Sequence, residues 1–194
     1  MLLKKYTSDW INNFIDIKNV IDEALISLEY SIEHVGSTAV ADLDAKNIID
    51  IDISHENEAE FDKIKARLLE LGYYHNGNQG IEEREVFKRL RTTFNPVLDK
   101  ISHHLYVCPV GSHALERHLL SRDFLRKNEW ARIEYQEMKY ELAEMAGQDK
   151  KRYAELKELN VNHFIDAIVE KQRAVVLENF QERLLNKQKN NIYQ

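Results

Sequence analysis

The chain is short of cysteine, with only Cys108 among its 194 residues. One thiol cannot build a disulfide framework, which points to a reducing cytoplasm. Long apolar runs are also missing. No stretch approaches the roughly 18 residues that suggest a membrane span, and the opening MLLKKYTSDW lacks the apolar segment of a signal peptide. There is no internal repeat and no low-complexity tract. Positive charge is not in excess either: 27 Lys and Arg against 33 Asp and Glu leave a net charge of −6. That argues against a general nucleic-acid binder, although net charge does not report distribution, and a local basic pocket for a phosphorylated ligand stays open. What is present suits a soluble protein with a real core. Hydrophobic residues make up 43%, charged residues 31%, and the mean hydropathy is −0.54. The length fits one domain with a helical extension, or two small lobes.

Periodicity divides the chain. Trp10, Phe14, Ile17, Ile21 and Leu25 recur at helical spacing after Ser8 and Asp9, which predicts a capped helix over about 9–28. SIEHV alternates like a half-buried strand and stops at Gly36, and NIIDIDIS predicts a second strand. Phe61, Ile64, Leu68 and Leu71 mark another helix, stopped by Gly72. A strand, a turn and a strand near 85–90 follow, then HHLYVCPVG, ended by Pro109 and Gly111. The rest reads as helices capped by Ser112, Asn128 and Asp149. Trp130, Ile133 and Met138 are the apolar positions of the second, and Tyr153, Leu156, Phe164 and Ile168 those of the third. The stripe thins after Lys171, and KQKNNIYQ is expected to fray. The expectation is an α+β core over 1–111, in the order α-β-β-α-β-β-β, with a helical region over 112–194 packed on it.

The residues that could carry chemistry centre on EHVGSTAVADLDAKNIIDIDI. Asp50 and Asp52 project from one face of their strand, about 7 Å apart along it. Two such carboxylates can grip divalent cations, which prefer oxygen ligands and bridge to substrate phosphates. The same alternation equally fits an ordinary half-exposed strand. Gly36 and Ser37 end the preceding strand in a tight turn, where the missing Cβ lets backbone amides approach a phosphate and Ser37 and Thr38 add hydroxyls. A lone Gly-Ser is a common turn, and the two features together are far more specific than either.

Gly36-Ser37, then twelve residues from Thr38 to Ile49, then Asp50-Ile51-Asp52 resembles the signature of the polymerase-beta-type nucleotidyltransferase superfamily. More closely, EHVGSTAV, AKNIIDIDI, GIEEREVF, HHLYVCPVGS and RDFLR resemble the GrpB family, a bacterial group with the nucleotidyltransferase-like fold. The resemblance implies a mixed sheet flanked by helices, Asp50 and Asp52 as ligands of Mg2+ (or Mn2+), and Gly36, Ser37 and Thr38 at the phosphates. It also matches Lys46, Arg84 and Arg122 to the family's basic positions. Two departures stand out. AVADL replaces the usual proline turn, and Tyr106 replaces a histidine in the usual His-Leu-His-Val strand.

A transferase of this class normally has a third carboxylate on a neighbouring strand. HHLYV offers none, so His104 is the candidate to stand in, with Glu85 as a fallback if its strand lies beside the aspartates. Of Glu33 and His34, whose sides alternate, at most one faces the pocket. Cys108 reads as a small core residue, and GNQG lacks the ending of a phosphate-binding P-loop. His113 and His118 stand five apart and miss the helical metal spacing. Two functions follow. One is metal-dependent transfer of a nucleotidyl group from a nucleoside triphosphate to an unknown acceptor. The other is binding of a nucleotide or phosphorylated metabolite without chemistry, in a site that has lost a carboxylate.

Overall fold

The computed structural model describes residues 1–90 and 92–192, with the backbone alone over 184–192. Helix α1 (Asp9–Ala24) opens the chain, and strand β1 (Ser31–Val35) leads into a 3-10 turn at Ser37–Ala39. Strand β2 (Ile49–His55), helix α2 (Glu58–Glu70) and strands β3 (Tyr73–His75), β4 (Glu85–Arg89) and β5 (His103–Pro109) follow. Three helices finish the chain: α3 (His113–Lys127), α4 (Glu129–Met145) and α5 (Lys150–Ile192).

The five strands form one mixed sheet in the order β1-β2-β5-β4-β3. β5 runs parallel to β2, and the other neighbours are antiparallel. The alternation in β2 sets its two faces. Ile49, Ile51 and Ile53 are buried in a core with Leu105 and Val107 of β5 and the apolar stripes of α1 and α2. Asp50 and Asp52 face the other way. A second core joins α3, α4 and α5 through residues such as Phe124, Tyr135, Leu142, Tyr153 and Ile168, and it takes in Leu3, Val40 and Leu43.

Several local expectations are revised. α1 ends at Ala24, four residues before the predicted Leu28, and its N-cap Ser8 makes no side-chain cap bond. Instead the Thr7 hydroxyl accepts from the Asp9 amide at 3.2 Å. Ser112 and Asp149 do cap, accepting from the amides of Leu115 and Arg152 at 3.4 and 2.7 Å. Asn128 does not: its side-chain amide donates back to the Phe124 carbonyl at 2.9 Å and so closes α3. The buried stripe of α4 is Ala131, Tyr135, Lys139, Leu142 and Ala143, whereas Trp130 and Ile133 are about half exposed, at 48% and 51%. Over KQKNNIYQ the backbone is helical as far as Ile192, and the last two residues lie outside the described ones. Among the described residues no helix is long and apolar enough to cross a membrane.

Candidate functional site

The register across β1, β2 and β5 decides which side chains meet. Glu33 lies opposite Asp52 and Val35 opposite Asp50 on one side, and His104 and Tyr106 lie beside Asp50 and Asp52 on the other. Directly paired residues share a face, so β5 presents a histidine and a tyrosine where a third carboxylate was sought. Glu85 is not the fallback. β4 adjoins β5 rather than β2, Glu85 pairs with Val107 on the opposite face, and its carboxylate binds His75.

Each aspartate accepts a hydrogen bond from an imidazole. His104 Nδ1 donates to Asp50 at 2.8 Å, and His118 Nδ1, from α3, donates to Asp52 at 2.8 Å. Burial pushes the Asp50 carboxyl up, but the His104 hydrogen bond and the nearby charges of His104, Lys157 and His118 outweigh it and hold the carboxyl below its ordinary range. Asp52 is 1% exposed, and its Oδ1 has no hydrogen-bond partner. A buried acceptor-only oxygen without a donor suits a cation. Asp50 and Asp52 are the residues that would hold a divalent cation here. Among the described residues no three His, Cys, Asp or Glu side chains are grouped to hold a metal by themselves.

A cavity of about 360 Å3 opens between this face of the sheet and helices α3, α4 and α5. Gly36, Ser37, Thr38, Lys46, Asp50 and His104, all candidate site residues from the sequence, line it from the sheet side. The turn brings Gly36 against the Asp50 side chain, at φ 71 and ψ −170, a conformation essentially reserved for glycine. Thr38 is buried with its hydroxyl engaged inside the protein, accepting from His34 Nε2 at 3.0 Å and donating to the Ile48 carbonyl at 3.4 Å.

Two predicted basic residues sit elsewhere. Arg122 is buried and bound to Glu33 at 2.6 Å, to Asp123 at 2.8 Å and to the His34 carbonyl at 3.0 Å. These bonds fix α3 to β1 and leave Arg122 outside the cavity wall. They also answer the question about β1: Glu33 lies on the aspartate face, and His34 points away and stacks on Phe14 at 4.8 Å. Burial pushes the His34 imidazole down to about 4. Arg84 places its guanidinium carbon over the Tyr106 ring, 4.7 Å from the centroid, with its Nε buried and unpartnered.

The helices contribute what the sequence reading missed. Lys139 of α4 and Lys157 of α5 line the cavity opposite Lys46, together with Tyr135, Tyr153 and His118. Lys139 donates to Ser37 Oγ at 3.3 Å and to the Asp44 carbonyl. Burial, then the charge of Lys157, pushes the Lys139 amine well below the ordinary lysine value. Burial followed by the same neighbour also lowers Lys46. Lys157 is raised, first by Tyr135, with Tyr153 and Asp50 adding to it against burial. Three lysines thus line one cavity beside a glycine-serine turn, an arrangement complementary to a multiply charged anion.

A five-stranded mixed sheet flanked by helices, with paired aspartates on one face beside a glycine-serine turn, is the α+β architecture expected from the sequence. The chain belongs to the GrpB family: the family profile described as GrpB protein matches residues 1–171. It is 30% identical over 170 residues to the glutamate-rich protein GrpB of Alkalihalophilus pseudofirmus, covering 87% of this chain and 94% of that one. A UPF0157 protein of Pseudomonas aeruginosa is 34% identical over 145 residues, covering 74% of this chain and 57% of the relative. Among solved structures, the conserved protein GrpB from Enterococcus faecalis superposes with a TM-score of 0.71 at 23% identity, over 87% of this chain and 98% of that one. A fainter likeness, with a TM-score of 0.48 at 13% identity, is to the Cid1 poly(U) polymerase bound to MgATP, over 66% of this chain and 41% of that one.

Proposed function

We propose that the cavity binds a nucleoside triphosphate with a divalent cation, Mg2+ or Mn2+, and transfers its nucleotidyl group to an acceptor hydroxyl. The observation that carries this reading is the convergence in one cavity of the Asp50 carboxylate with Lys46, Lys139 and Lys157 and the Gly36-Ser37 turn. Asp50 and Asp52 would hold the cation, which neutralises phosphate charge as it is displaced. The lysines and Ser37 hold the β- and γ-phosphates and leave the α-phosphorus near Asp50. His104, with Nδ1 on Asp50, keeps Nε2 free to take the acceptor proton as the O–P bond forms and pyrophosphate departs. It would act in the cytoplasm on a nucleotide or phosphorylated small molecule, and its single cysteine supports that compartment.

The test is a thermal-shift screen of nucleoside triphosphates with and without Mg2+ or Mn2+, on the wild type and on Asp50→Ala. A bound ligand stabilises the native state by mass action. Metal-dependent stabilisation that is lost in Asp50→Ala supports the site, and unchanged binding in that variant overturns it. One observation favours a second reading, a binding protein without chemistry. His104 and Tyr106 occupy the β5 positions beside Asp50 and Asp52, where a third carboxylate would stand. Release of pyrophosphate in the presence of metal separates the two.

A further inference from the structure

Lys139 is 1% exposed, yet no carboxylate pairs with its amine among the described ion pairs. The nearest acid, Asp44, is engaged elsewhere. Its carboxylate accepts from Lys5 at 2.9 Å, from the Tyr140 hydroxyl at 2.6 Å and from the Tyr6 amide at 2.9 Å, so only its backbone carbonyl reaches Lys139. The other groups facing the amine are the Ser37 hydroxyl from the turn, the Tyr135 ring from its own helix at 4.8 Å, and Lys157 from α5. Lys157 is the only charge among these last three, and it has the same sign. A buried ammonium without a counterion is costly, and such a group sheds its proton. The same cavity has room for the counterion it lacks.

We propose that Lys139 is the ligand-dependent cation of this cavity. An anionic group entering beside Ser37 becomes its counterion, and its arrival draws one proton from solvent onto the amine. The anion is the terminal phosphate of the ligand, so the inference rests on the reading that the cavity takes a phosphorylated molecule. Nothing is oxidised or reduced: an amine, a proton and an anion become an ammonium–anion pair. Binding that takes up a proton weakens as pH rises, by up to about tenfold per pH unit for one proton. The ligand would therefore be held more tightly at neutral pH than in alkaline solution, without any change in its own charge.

Inorganic sulfate, with no metal present, is the probe, because it carries no titrating proton above neutrality and any proton taken up belongs to the protein. Its affinity is measured from about pH 7.5 upward, above the ordinary range of imidazole. The expected wild-type result is a fall approaching tenfold per pH unit, with calorimetry in two buffers of different ionisation heat giving about one proton taken up. Lys139→Met, close in shape and uncharged, should bind more weakly and lose this pH dependence. Lys139→Arg, permanently charged, should bind with a flat profile and serves if the Met variant does not fold. A flat wild-type profile, a slope that persists in Lys139→Met, or no sulfate binding by the wild type would each overturn the proposal. The nucleotide screen is independent of this outcome: a sloped sulfate profile without nucleotide binding keeps the inference and removes the transferase reading.

Discussion

Gly36 and Asp50 are in such close register that a methyl group on Gly36 would lie 3.1 Å from both Cβ and Cγ of Asp50, with its carboxylate oxygen nearer still. The turn and the first aspartate therefore form a single unit. Gly36→Ala meets the aspartate and also forces a side chain into a backbone conformation that costs about 1–3 kcal/mol. We expect a lower melting temperature together with loss of metal-dependent nucleotide binding, read by thermal unfolding with and without ligand. Full binding in a stable Gly36→Ala protein would show that the turn does not position Asp50.

Arg122 separates support from ligand contact. Removing it leaves the His34 carbonyl and Glu33 without their donor. Arg122→Ala should cost about 2–3 kcal/mol of stability, the scale of hydrogen bonds to charged groups, measured by urea unfolding. Ligand affinity at temperatures where the variant is folded should stay near the wild-type value, because Arg122 is not on the cavity wall.

Lys157 should behave in the opposite way. It reaches the cavity from α5, and Asp50 and two tyrosines help to keep it charged. Lys157→Gln should lower affinity for a nucleoside triphosphate about tenfold or more, as expected for one charge-assisted hydrogen bond. Stability should fall slightly, because the folded protein favours the Lys157 charge. Calorimetric titration beside urea unfolding gives both quantities.

His34 predicts a pH dependence. Burial disfavours the charged form and pushes its imidazole down to about 4 in the folded protein, from the ordinary 6.5. The unfolded chain therefore binds the extra proton first, and stability falls as pH drops from about 6.5 toward 4. The shift corresponds to about 3 kcal/mol, and His103, lowered chiefly by burial, adds in the same direction. His34→Gln should flatten the stability profile over this window in urea unfolding at several pH values. A profile as steep as the wild type would place the acid sensitivity elsewhere.

The end of α5 should be dispensable for folding. Among the residues with described side chains, Gln172 is the last buried one of the helix, and Arg173 still binds Glu116 at 2.7 Å, whereas Val175, Val176, Leu177 and Phe180 are exposed. A chain ending after Ala174 should melt within a few degrees of the full chain, and a large drop would mean that the exposed apolar residues are covered by something.

The sheet and its aspartates were legible because β2 keeps a strict two-residue alternation over IDIDI, and alternation is a local property. The spacing from Gly36-Ser37 to Asp50 needed no tertiary information either. The helical half of the site was not legible in the same way. Lys139 stands at a core position of α4, and a lysine there breaks the apolar stripe by which a helix face is recognised. Trp130 and Ile133 then suggested the wrong face. The clue was the spacing Tyr135-Lys139-Leu142, with a lysine where an apolar residue belongs. His118 was weighed against His113, five residues away, when its partner was Asp52, 66 residues away. Pairings across the fold leave no local trace. The fallback role for Glu85 failed for a related reason, because strand order is set by packing and not by the strand's own sequence.

β5 lies between β2 and β4, so it is the piece that joins two smaller sheets. Until it inserts, β1–β2 and β3–β4 each carry an open edge, and open edges invite pairing with other chains. During synthesis β2 emerges well before its parallel partner, whose His104 is 54 residues beyond Asp50. The lysines from α4 and α5 come later still. The cavity is lined from β2, β5, α3, α4 and α5 together, so it is a record of completed folding. A small molecule that stabilises it acts on the finished chain alone, and a ligand-rich cell would rescue mature protein more readily than nascent protein.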